Sequence, residues 1–98
     1  MVSIFLNQSN EHYYDDGQIE RKCNYNDGKL CGDSISYYES GQISVKCNYV
    51  DGSMCGEYIL YYLNKKIYKK CNYNYGKLCG VYVQYSPNGQ IEKKCNYV

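Results

Sequence analysis

"KCNYNDGKLCG", residues 22–32, returns as "KCNYVDGSMCG" at 46–56 and as "KCNYNYGKLCG" at 70–80. Its opening, "KCNYV", recurs at 94–98. The period is 24 residues, and a period of this size marks a repeat architecture in which neighbouring units bury one another. Tyr13, Tyr37, Tyr61 and Tyr85 form one unvarying column, and Ile19, Ile43, Ile67 and Ile91 another. Lys22, Lys46, Lys70 and Lys94 precede Cys23, Cys47, Cys71 and Cys95 in two more. Gly17, Gly41 and Gly89 share a column that drifts to Lys65 in the third unit.

Each unit carries two turn signals. One is "DDG", "ESG", "LNK" or "PNG"; the other is "NDG", "VDG" or "NYG". Between them lie stretches of strand length, rich in Tyr, Ile, Val and Cys. No stretch holds an apolar stripe at helical spacing for three turns. The pattern predicts an all-β chain: a single-layer antiparallel meander of about eight strands, built from four 24-residue β-hairpin repeats. Residues 1–98 read as one repeat domain. Residues 1–14 are a degenerate capping strand, 13–36, 37–60 and 61–84 are full repeats, and 85–98 is a half-repeat. In the cap, Phe5 and Leu6 stand at the places of Lys29 and Leu30, Asn7 at that of Cys31, and Glu11 at that of Ile35.

An x-x-Gly loop suits a type I turn closed by a left-handed glycine, the three-residue hairpin with a bulge. Applied to Asn26-Asp27-Gly28, it opposes Cys23 to Cys31; applied to Glu39-Ser40-Gly41, it opposes Tyr38 to Gln42 and Tyr37 to Ile43. Both loops then put Ile, Tyr37 and Cys on one face. A two-residue Asp-Gly turn would set Cys23 against Gly32 and scatter the columns, so the three-residue reading is the expectation.

In that register Cys23 and Cys31, Cys47 and Cys55, and Cys71 and Cys79 are candidate pairs, with Cys95 left over. Opposed residues lie ~4.5–5.5 Å apart at Cα, within disulfide range. Two readings stand: small packed thiols in a core, or disulfides in an oxidising setting. Zinc is poorly served, because a spacing of eight gives pairs and not fours. His12 has no thiol or carboxylate companion at catalytic spacing, so the chain reads as no enzyme and requires no cofactor. The face away from the cysteines carries Tyr58, Leu60, Tyr62, Tyr68 and Tyr82, either bracing a thin sheet or forming an interaction patch. Lys22, Lys46, Lys70 and Lys94 share that face. They are a solvated column that discourages aggregation, or a track for an anionic polymer or lipid headgroups.

The stretch "YYESGQISVKCNYVDGSMCGEY" (37–58) resembles the MORN-repeat variant of bacteria and of large DNA viruses of amoebae. The likeness recurs four times over residues 13–98. The Lys-Cys-Asn-Tyr form is most similar to the giant-virus members; bacterial relatives usually have glycine at the places of Cys23, Cys47, Cys71 and Cys95. The resemblance implies a non-enzymatic scaffold that binds protein. It also implies a possible link to phospholipid surfaces, and some bacterial members are antitoxin components.

Fifteen tyrosines, one phenylalanine and no tryptophan supply the aromatic content, and the net charge is +1. That charge gives no general pull toward nucleic acid. The opening "MVSIFLNQSN" lacks the basic start and long apolar run of a signal peptide, and no apolar run reaches bilayer length. The expected setting is therefore cytoplasm, or a virion if the protein is viral. The expected partner is a protein, including a further copy of the chain. In such stacking, residues 5–14 of one copy would lie on 91–97 of the next, Asn7 opposite Cys95. A structural subunit of a disulfide-linked filament or virion layer is a second reading, and anionic-lipid binding through the lysine column a third.

Overall fold

The computed structural model describes residues 8–98. Ten strands follow in order: β1 (Gln8–Tyr13), β2 (Ile19–Asn26), β3 (Lys29–Leu30), β4 (Gly32–Tyr37), β5 (Ile43–Val50), β6 (Ser53–Met54), β7 (Gly56–Tyr61), β8 (Ile67–Asn74), β9 (Lys77–Tyr85) and β10 (Ile91–Tyr97). They form one antiparallel sheet in the spatial order β1-β2-β4-β5-β7-β8-β9-β10, with β3 beside β2 and β6 beside β5. Eight strands thus lie on the main path, as the repeat predicts. The molecule measures 56 × 39 × 13 Å. The short dimension accommodates one twisted layer, since two face-packed sheets stand about 10 Å apart before their outer side chains are added.

The loop at Glu39-Ser40-Gly41 is the expected three-residue turn. Tyr38 N–H donates to the Gln42 carbonyl at 2.8 Å, and Gly41, at φ 91°, donates to Tyr38 at 2.9 Å. Tyr37 stands opposite Ile43. The third repeat closes its loop with Lys65 at φ 73°, in the left-handed region where glycine stands elsewhere. Beyond each loop the register slips by one. Ser36 faces Val45 and Ile35 faces Lys46, leaving Ser44 as the extra residue of a bulge.

The other turn departs from expectation. Asn26 pairs with Lys29 and Tyr25 with Leu30, so the loop is two residues long. Asp27 at φ 54° and Gly28 at φ 77° are both left-handed, the type I′ hairpin in which the turn's twist matches that of the strands. Asp51-Gly52 and Tyr75-Gly76 repeat it. The cysteines are consequently not opposed. Cys31 N–H bonds the Asn24 carbonyl, Cys55 that of Asn48, and Cys79 pairs with Asn72. Past Gly32, at φ 72°, the pairing slips by two, so that Lys22 faces Ile35 and Arg21 faces Ser36. A slip of two returns each side chain to its face. Cys23, Cys47 and Cys71 therefore lie on one face, and Cys31, Cys55 and Cys79 on the other.

Such a layer has little interior. Among the described residues Cys23, Cys71 and Val83 are the buried apolar ones, with Ser34 among the polar ones. The repeats are instead pegged together by tyrosine. The hydroxyl of Tyr14 donates to the Tyr37 carbonyl at 2.6 Å, Tyr38 to Tyr61 at 2.5 Å, and Tyr62 to Tyr85 at 2.7 Å. At the hairpin tips Gly52 N–H reaches the Leu30 carbonyl and Gly76 that of Met54. In β1, Glu11 faces Lys22 and holds the column of Ile35, Ile59 and Val83. Phe5, Leu6 and Asn7 lie outside the described residues.

Candidate interaction faces

On the first face one row crosses every strand of the main path. Asn10 pairs with Cys23, Ser34 with Cys47, Tyr58 with Cys71 and Tyr82 with Cys95. Continuing the joints between repeats brings Cys23 level with Ser34, Cys47 with Tyr58, and Cys71 with Tyr82. The neighbouring row runs through Arg21, Ser36, Val45, Leu60, Lys69, Gln84 and Lys93. The tyrosines therefore share the cysteine face, not its reverse. Each two-residue turn and each bulge changes which residues point together.

Lys69 Nζ lies 5.3 Å from the ring centre of Tyr58 and 5.8 Å from that of Tyr82; Lys93 Nζ lies 5.3 Å from Tyr82. Tyr73 meets Tyr58 edge-on at 5.7 Å, and Tyr97 meets Tyr82 edge-on at 5.9 Å. These are the offset geometries that aromatic and cationic groups favour. Tyr68 is not in the expected row with Leu60 and Tyr82. It is the extra residue of a bulge, and Leu60 faces Lys69 instead. Tyr68 stacks on Tyr62 at 4.7 Å, and the Tyr62 hydroxyl is committed to the inter-repeat bond. Tyr73, Tyr97, Lys69 and Lys93 were not among the residues that the sequence reading put in the patch. The Cys-x-Tyr spacing carried the signal for the two tyrosines, since residues two apart on a strand share a face.

Burial pushes the Tyr58 phenol above its ordinary value, with the neighbouring Cys47 and Cys71 adding to the effect. Burial also raises Cys71, against the opposing pull of Lys69 and a hydrogen bond with Tyr73. Cys47 is raised by burial despite hydrogen bonds with Tyr49 and Ser34 and the nearby Arg21. A raised thiol stays protonated at neutral pH and is a poor nucleophile.

The reverse face holds Lys22, Lys46, Lys70 and Lys94, all exposed. Within the sheet they alternate with Ile35, Ile59 and Val83. The expected basic column is thus on the side away from Tyr58 and Tyr82. Its charge is interrupted by Glu11, Asp33 and Glu57, and Glu57 holds Lys70 at 3.4 Å. His12 faces Arg21 and is exposed. The described residues contain no disulfide and no group of three or more His, Cys, Asp or Glu at metal-binding spacing.

Among the described residues, an open sheet of hairpin repeats, pegged from unit to unit and lacking a second layer, defines a β-repeat interaction module. The chain belongs to the MORN repeat variant family, whose pattern it matches at residues 10–27, 30–51, 54–75 and 78–98. MORN repeats are non-enzymatic modules of protein or membrane interaction. No curated protein and no solved structure matches the chain.

Proposed function

We propose that the protein is a scaffold that binds a protein partner through the tyrosine–cysteine face of β7 to β10. The observation that carries this reading is the placement of Lys69 between the rings of Tyr58 and Tyr82, beside Leu60, on a sheet face over which the described residues lay no second layer. Tyrosine supplies large contact area with few rotatable bonds, and a lysine laid along its rings keeps the patch soluble until a partner displaces water. The lysine face suits a membrane less well, because its three carboxylates interrupt the attraction to anionic headgroups. A disulfide-stapled structural subunit is not supported by the hairpin pairs, whose members point to opposite faces.

A photo-crosslinking residue at position 82 tests the reading, with position 46 on the reverse face as control. In source cells, position 82 should give a discrete protein adduct that position 46 does not. Equal labelling from both positions, or labelling confined to position 46 together with flotation on anionic liposomes, would overturn it.

A further inference from the structure

The repeat phase assigns the two outer strands of the sheet to each other. Strands β2, β5, β8 and β10 occupy one phase of the 24-residue unit; β1, β4, β7 and the outer half of β9 occupy the other. Each strand of the first phase is joined on its far side to one of the second: β2 to β4, β5 to β7 and β8 to β9. Among the described residues, β10 has no such neighbour, and β1 has none on its outer side.

We propose that β10 of one copy pairs with β1 of a second copy, in the register that joins one repeat to the next. The inference uses strand edges rather than a face, so it goes beyond the proposed partner binding. The internal joints set the register: Lys22 faces Ile35, Lys46 faces Ile59 and Lys70 faces Val83. Advanced one unit, Lys94 faces Glu11 of the second copy, and Lys93 faces its His12. Cys95 then comes level with Asn10 rather than with Asn7.

Two independent features fit this junction. The first is charge. Inside the sheet the lysine column meets Ile35, Ile59 and Val83 across each joint, whereas the residue of that column on β1 is Glu11. A carboxylate is thus presented to Lys94, and opposed charges across a strand pair are stabilising.

The second is apolar cover. Ile19 shares a hollow with Tyr37 of the next repeat, and Ile43 shares one with Tyr61. Ile91, in the same column, is 57% exposed, and Tyr13, in the column of Tyr37 and Tyr61, is 56% exposed. The junction brings these two residues together. Ser86 stands where Tyr14, Tyr38 and Tyr62 peg the internal joints and is too short for that bond, so the junction is weaker than an internal joint. The contact is heterologous, so it propagates as a filament unless its rotation closes a ring.

Disulfide trapping tests it. In one chain, Glu11 and Lys94 lie on strands seven steps apart, about 34 Å at the usual strand spacing. A link between them is therefore intermolecular. In the full chain carrying Glu11→Cys with Lys94→Cys, oxidation at high protein concentration should give a ladder of oligomers with 11–94 links by peptide mapping. Glu11→Cys with Lys93→Cys, whose second thiol points to the other face, should give several-fold less. Sedimentation of the unmodified protein should show association that grows with concentration. Equal yields from the two variants, or a protein that stays monomeric throughout, would overturn the proposal. Either failure leaves the position-82 crosslink free to report on the partner-binding face.

Discussion

Replacing Tyr38 by phenylalanine isolates one peg between repeats. The ring stays, and the change removes a hydroxyl that donates to the Tyr61 carbonyl at 2.5 Å. A neutral hydrogen bond contributes about 0.5–1.5 kcal/mol net, so the expected loss is about 1 kcal/mol. For a domain of this size that lowers Tm by about 4–8 °C. The matching changes at Tyr14 and Tyr62 act at different joints, and in a linear array each joint touches only its neighbours. Their effects should therefore nearly add, to about 3 kcal/mol for the triple variant, a large share of the ~5–15 kcal/mol that holds a typical domain. Urea unfolding followed by circular dichroism measures this, with Tyr13→Phe as the control at a half-exposed ring. If Tyr38→Phe is no less stable than the control, the pegs do not hold the repeats together.

Tyr75 occupies the left-handed region at φ 47° with its side chain 64% exposed, where the other two tips have aspartate. Tyr75→Asn should raise the urea midpoint, because asparagine tolerates that region, with a gain of up to about 1 kcal/mol. Burial raises Cys47, Cys71 and Tyr58 in the folded state, so above the ordinary thiol value of 9.0 the unfolded chain loses its protons first. The folded state then holds more protons, and linkage requires stability to fall as pH rises through this alkaline range. Urea midpoints from pH 7 to 10 should decline accordingly; a flat or rising series contradicts the burial. Tyr58→Ser combined with Tyr82→Ser should leave the strand signature intact, lower stability by about 0.5–3 kcal/mol per change, and abolish co-purification of the partner that position 82 crosslinks. Loss of the fold itself would make these rings core.

Much of the fold was legible because the 24-residue columns forced a hairpin meander, and Glu39-Ser40-Gly41 displayed its turn type in its closing glycine. The other turn was misread. Asn26-Asp27-Gly28 also ends in glycine, and the three-residue reading was preferred because it gathered the unvarying columns onto one face. That inference assumed unbroken strands. The bulge at Ser44 moves the pairing by one, and the slip at Gly32 moves it by two. Asp27 carried the signal that was outweighed: aspartate before glycine admits two successive left-handed residues. That preference put Lys22 and Tyr82 on one face and Cys23 opposite Cys31. The contacts of Lys69 with two rings depend on this register and could not be read before it was known.

The assignment of Tyr58 and Tyr82 to the face of Cys23, Cys47 and Cys71 rests on the two-residue turns together with the bulges. Cross-strand nuclear Overhauser contacts in isotopically labelled protein test that point directly. They should connect the backbone of Cys31 with Asn24, Cys79 with Asn72, and Tyr58 with Cys71. Backbone contacts opposing Cys23 to Cys31 and Cys71 to Cys79 would restore the three-residue loop and contradict the assigned faces.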